Sequence, residues 1–193
     1  HLELVESLSR GVDVISGLPY IGEADAPVTR LIYEDVGCPH CKDYFQRTES
    51  QVLSEFVAAG DVRVMVYTMA IVNAQSLPGA EGAYCALDQD MFWEFRDLLF
   101  NNQGVRQFNR QNLITFAEEL GLDVDAFTLC FDLGTHTQEI ISRSQRAFDF
   151  GITGTPTTEI NGQRYSGVIE FAPDDGSSGL RTYLETALEA AGE

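Results

Sequence analysis

The sequence predicts an α/β fold interrupted by a run of helices, in the order βαβ, helical insert, ββα. Three observations carry this: a strand pattern running into a helical pattern and a second strand within residues 28–67, helical periodicity sustained from about 77 to 150, and two short strand patterns before a closing helix. A chain of 193 residues with 44% hydrophobic content suffices for one core with an elaboration, not for two ordinary domains. Residues 1–76 and 151–193 therefore read as two parts of one α/β domain, and 77–150 as an inserted helical domain.

Residues 1–10 read as a short helix or a stretch foreign to the fold, followed by an irregular segment with Gly17, Pro19, Gly22 and Pro27. Val28 to Glu34 is rich in branched and aromatic residues and reads as a strand. From Pro39 to about Ala59 the residues Phe45, Val52, Leu53, Phe56 and Val57 recur at helical spacing, with Gly60 as C-terminal cap. Val62, Val64 and Val66 alternate with Arg63, Met65 and Tyr67, a strand close enough to the helix for a right-handed parallel crossover. The insert reads as helices near 79–101, 106–120, 123–132 and 136–149, with breaks at Gly121 and Gly134 and a capping box at Thr135 and Gln138. Strands follow at 157–160 and 164–169, joined by Asn161-Gly162, the dipeptide suited to a tight hairpin turn. Leu180, Tyr183, Leu184, Ala187 and Leu188 then mark one buried helical face.

The formal charge is −18, from 12 Lys and Arg against 30 Asp and Glu, which repels nucleic acid and anionic lipid. Lys42 is the only lysine, so arginine supplies nearly all the positive charge. No stretch approaches the roughly 18 apolar residues of a spanning helix. The chain opens on His1, and a signal peptide or anchor would have lain upstream.

Cys38-Pro39-His40-Cys41 falls where the first strand gives way to its helix. Unpaired N–H groups at a helix start favour a thiolate on Cys38, Pro39 suits the first turn, and two intervening residues let the sulfurs bond. His40 adds a donor or a positive charge, and each of these lowers the pKa of Cys38. A stabilised thiolate leaves readily and resists re-oxidation, which makes the disulfide oxidising. Half of a zinc site, completed by Cys85, Cys130 or a histidine, is disfavoured because the other cysteines stand alone in predicted helices. A purely structural link or two inert thiols fit the strand-to-helix setting poorly. Cys38 is expected to stand exposed at the helix terminus, and Cys41, one turn in, to be partly covered.

These residues resemble the DsbA-like thiol-disulfide oxidoreductases of the thioredoxin superfamily, over nearly the whole chain from about Gly22. Ala26-Pro27-Val28-Thr29, Asp35 to Cys41 with its Cys-Pro-His-Cys motif, Phe92 to Phe100, and Gly151 to Thr158 followed by Ile160-Asn161-Gly162 carry the resemblance in order. It implies a thioredoxin-like fold with an inserted helical domain, a redox-active disulfide Cys38–Cys41 with no other cofactor and no metal, and a cis-proline loop in which Thr155 and Pro156 present a backbone edge to extended substrates. It also implies a bacterial, extracytoplasmic dithiol oxidase, periplasmic or at the cell surface. Reduced cysteine-containing proteins would be its substrates, and a quinone-linked integral membrane protein would recharge it.

One departure bears on mechanism. The superfamily commonly carries a buried acid six residues before the first cysteine, where this chain has Ile32; Asp35 lies on the opposite strand face, and Glu34 would have to reach back. Together with Thr155 before the proline, this leaves an isomerase or reductase open, and a non-catalytic thioredoxin-fold binding module is the alternative of another class. Cys85 and Cys130, on two helices of the insert in an oxidising compartment, suggest a second, structural disulfide, or else two buried small residues. His1 and His136 read as surface residues. Phe92, Trp93, Phe95 and Phe100 read as core rather than groove.

Overall fold

The computed structural model describes residues 1–192. Two compact units share the chain: one comprises 1–33, 43–67 and 154–193, the other 34–42 and 68–153.

The first unit is built on a six-stranded sheet in the order β1-β2-β4-β3-β5-β6. Its elements are α1 (Leu2–Ser7), β1 (Arg10–Val12), β2 (Pro19–Ile21), β3 (Val28–Glu34), β4 (Val62–Thr68), β5 (Thr157–Ile160), β6 (Gln163–Ser166) and α9 (Leu180–Ala191). Between β3 and β4 lies α2 (Pro39–Tyr44), which runs on through π-type turns at Phe45–Glu49 and Leu53–Val57 with α3 (Ser50–Val52) between them. The last residues of β3 and β4, and the start of α2, fall in the second unit. β3 occupies the interior of the sheet, with Val28, Arg30 and Ile32 buried. Arg30, 1% exposed, is held there by hydrogen bonds to Tyr44 Oη (2.5 Å) and Thr158 Oγ1 (2.8 Å). The β5–β6 hairpin pairs Ile160 with Gln163, and Asn161 and Gly162 take the positive φ angles, 48° and 83°, that a two-residue turn requires. β6 stops at Ser166 rather than 169, because Gly167 turns the chain with φ 86°. The peptide bond between Thr155 and Pro156 is cis.

The start of the chain holds more structure than its sequence pattern shows. The irregular segment contains β1 and β2, antiparallel to each other, with β2 antiparallel to β4. Three-residue strands beside Gly17, Pro19 and Gly22 are too short to leave an alternation pattern. Of the two readings of residues 1–10 the short helix holds: α1 spans Leu2–Ser7, and Val5 is fully buried.

The second unit holds α4 (Ser76–Leu87), α5 (Phe92–Asn102), α6 (Arg110–Glu119), α7 (Val124–Leu133) and α8 (Thr137–Asp149). The helix expected over 79–101 is two helices, broken where Asp90 takes φ 61°. Asn109 and Asp123 cap α6 and α7 by accepting from Asn112 N and Ala126 N, both at 3.0 Å. The capping box at Thr135 does not form: its hydroxyl donates to Cys130 O (3.1 Å), and His136 is the N-cap of α8. Phe92, Trp93, Phe95 and Phe100 are all buried, so they are core. No helix among the described residues is long and apolar enough to cross a membrane.

Candidate redox active site

Cys38 and Cys41 are free thiols on the loop that leaves β3 and opens α2. Cys38 O accepts from Cys41 N (3.1 Å) and Lys42 N (3.2 Å), so the first turn winds directly behind it, with Pro39 in the position where a missing N–H costs nothing. The loop is strapped from three sides. Gln103, just past α5, donates through Nε2 to Val36 O (2.7 Å) and Cys38 O (3.1 Å), while Lys42 Nζ donates to Gln103 O (2.8 Å). Asn73 Nδ2 donates to Gly37 O (2.7 Å). Gly37 permits that approach, because a Cβ there would stand 2.5 Å from Ser76 Oγ and 2.8 Å from Asn73 Oδ1. Asp35 supplies the third strap, its carboxylate accepting from Gly37 N (2.7 Å), Ile71 N (2.7 Å) and Val72 N (2.9 Å).

These straps correct the expectation of an open Cys38, which is only 4% exposed against 1% for Cys41. The cysteines differ instead in their chemical surroundings. Burial pushes the Cys41 thiol well above its ordinary range, and a hydrogen bond with Cys38, the Glu34 carboxylate and the Cys38 charge push the same way; the Asp35 N–H, 3.5 Å from Cys41 Sγ, pulls back weakly. Cys41 is thus held as a neutral thiol.

Glu34 itself is committed to a partner. Both of its oxygens are engaged by Arg96 of α5, at 2.5 Å to Nε and 2.7 Å to Nη2, and each side chain is 1% exposed. A bidentate pair this deep fixes the carboxylate's aim and sets the guanidinium charge against its own. Ile32 is an apolar core residue, and the buried Asp35 carboxylate is held by three backbone N–H groups, one on Oδ1 and two on Oδ2. The sequence reading overlooked Arg96, Gln103 and Asn73. Arg96 was detectable: an arginine on the same helical face as Phe92, Leu99 and Phe100 must be either paired in the core or misplaced.

Beside the redox loop lies a hollow of about 400 Å³ with Gly37, Pro39, Gln103, Gly104 and Phe108 among its walls. In the other unit, Thr155 and Pro156 precede β5, and Pro156 O accepts from Gly167 N (2.8 Å). Cys85 on α4 and Cys130 on α7 are joined by a disulfide, 2.04 Å between sulfurs. His136 is not a bare surface residue: its Nε2 lies 2.8 Å from Asp88 Oδ2, and its N–H donates to Glu81 Oε1 at 2.9 Å. His1 is exposed, with Nδ1 2.7 Å from Ser50 Oγ.

A family model described as Thioredoxin matches residues 16–173, and the chain belongs to that family. Its fold is that of the DsbA-like thiol-disulfide oxidoreductases. The structure of BdbD from Bacillus subtilis superposes with a TM-score of 0.78, covering 94% of this chain and 98% of that one at 23% identity. Disulfide bond formation protein D of the same organism is 32% identical over 101 residues, covering 48% of this chain and 43% of that protein. The Na(+)/H(+) antiporter NhaA 1 of Salinispora arenicola is 31% identical over 148 residues, covering 76% of this chain; the chain spans only 22% of that antiporter's length.

Proposed function

We propose that the chain is a protein thiol-disulfide oxidoreductase that acts as a dithiol oxidase outside the cytoplasm. The observation that carries this reading is the inequality of Cys38 and Cys41. Cys41 is held neutral by burial and by Glu34, which leaves Cys38, at the start of α2, as the sulfur that bears negative charge when the pair is reduced. In the oxidised pair a substrate thiolate attacks Cys38 Sγ and breaks the Cys38–Cys41 bond, and Cys41 leaves and takes a proton. A second substrate thiolate then attacks the substrate sulfur of the mixed disulfide, releasing oxidised substrate and the Cys38 thiolate. His40 supports that charge, and Pro39 fixes the turn that presents it. By family resemblance, Thr155 and Pro156 offer a backbone edge to an extended substrate. A disulfide or quinone acceptor in the membrane recharges the reduced pair.

The test is a redox titration of Cys38–Cys41 together with turnover of a reduced dithiol peptide. The oxidase reading expects faster oxidation than buffer alone and a couple well above thioredoxin's ~−270 mV. A couple as reducing as thioredoxin's assigns the chain to the reductases or isomerases of this fold. The antiporter relatives favour a second reading, a thioredoxin-fold module serving a membrane transporter. Its mark is partner binding unchanged by Cys38→Ala.

A further inference from the structure

The Cys85–Cys130 disulfide lies in surroundings that a cross-link does not need. Asp88 Oδ2 stands 2.8 Å from His136 Nε2 and 3.7 Å from Cys130 Sγ. A ring nitrogen of His136 and both sulfurs all lie within 4.8 Å of one another. A disulfide is uncharged and gains nothing from an imidazole fixed by a carboxylate. Two thiolates and an imidazole are a zinc donor set, and a carboxylate hydrogen-bonded to the ring is a common way of holding a ligating histidine in place.

The cluster is also anchored by bonds other than the S–S bond. Glu81 accepts from His136 N (2.9 Å) and Thr137 Oγ1 (2.8 Å), tying α4 to the start of α8. Gln89 and Asp123 exchange two hydrogen bonds, Nε2 to backbone O at 3.2 Å and backbone N to Oε1 at 2.8 Å, tying the end of α4 to the start of α7. The Phe95 and Phe127 rings, 5.3 Å apart, pack α5 against α7. Reduction therefore leaves the four side chains facing one another. The Asp88 and His136 side chains are 50% and 22% exposed, which opens a path for an ion, and the net charge of −18 draws cations to the surface.

We propose that Cys85, Cys130 and His136 bind one zinc ion when the two cysteines are reduced, with Asp88 at the rim of the site holding the His136 ring. The thiols arise in the newly made chain, or when a dithiol reductant gives two electrons to the S–S bond and becomes a disulfide itself. Zn²⁺ then displaces both thiol protons. Held this way, two of the four thiols are kept from pairing wrongly with Cys38 or Cys41. A disulfide oxidant later takes two electrons from the thiolates, joins Cys85 to Cys130, and releases the ion.

The test uses the full chain with Cys38→Ser and Cys41→Ser, so that only Cys85 and Cys130 supply thiols. It is reduced, freed of reductant under inert gas, and titrated with Zn²⁺ against a coloured chelator, with Co²⁺ absorption reporting sulfur ligation. One equivalent should bind at least about 100-fold more tightly than to the oxidised chain. His136→Ala should weaken binding by about tenfold or more and Asp88→Asn by less, with unchanged helix content. If reduction lowers the helix content, recovery with one equivalent of zinc supports the site. A reduced chain that zinc does not refold, equal binding in both redox states, or parent-like affinity in both His136→Ala and Asp88→Asn would overturn it.

Discussion

Cys38 and Cys41 are three positions apart at a strand-to-helix junction, whereas Cys85 and Cys130 are 45 positions apart on separate helices of the same unit. In the chain-entropy view, closing the short loop restricts the unfolded state by about 2 kcal/mol and the long one by about 4 kcal/mol. The short pair thus gives up less when it opens, and its sulfurs sit among groups that treat them unequally. The long pair is flanked by a histidine and carboxylates and bridges α4 and α7. Sequence separation and local charge, rather than the bond itself, are the grounds on which we propose exchange for one pair and holding for the other.

The largest expected effect sharpens the contrast within the short pair. Cys38→Ser should lower thiol exchange by roughly 10³-fold or more, because the sulfur that bonds to substrate is gone. Cys41→Ser should instead accumulate mixed disulfides, seen by mass spectrometry and removed by reduction. Equal trapping by the two variants, or trapping mainly through Cys41, would erase the proposed division of labour.

Next in size is the ion pair behind Cys41. Arg96→Met leaves the Glu34 carboxylate buried without its bidentate partner and should cost about 3–5 kcal/mol in denaturant unfolding. The double variant Glu34→Gln, Arg96→Met should recover most of that loss. Unchanged stability in the single variant would mean that the pair does not govern this region. On the other side of the comparison, Cys85→Ala with Cys130→Ala should lose up to about 4 kcal/mol by the same measurement. A loss near zero would remove the holding role from the long pair.

Much of the architecture was legible because periodicity reports burial: the Val28–Glu34 strand, the Asn161-Gly162 turn and the α9 face each show in the residues themselves. What escaped depends on distant partners. β1 and β2 exist through pairing along the sheet, not through any pattern of their own. Asp90 splits one helical run in two with a single left-handed residue. At the site, the positions of the two sulfurs follow from four consecutive residues, but Arg96 comes from 62 positions away to meet Glu34, and His136 meets Asp88 across 48. A single sequence names such residues without saying whom they face.

The smallest predicted effect tests the chemical inequality most directly, through pH. In a mixed disulfide between Cys38 and a coloured aryl thiol, Cys41 must lose its proton before it attacks Cys38 Sγ and expels the dye. Burial, with Glu34 acting in the same sense, raises the Cys41 pKa, and both causes persist once Cys38 is bonded to the dye, so the attacking thiolate is scarce at neutral pH. Below a group's pKa its ionised fraction grows tenfold per pH unit, and dye release followed by absorbance should rise with that slope from pH 6 through about 8.5, the usual thiol value, without levelling. Removing the carboxylate and its partner together, in Glu34→Gln with Arg96→Met, takes away one cause of the elevation and leaves burial in place. The profile should then move to lower pH and release should quicken a few-fold at pH 7. A plateau near neutrality in the parent would show that Cys41 is an ordinary or activated thiol, and the distinction between the two cysteines would have to rest on access alone.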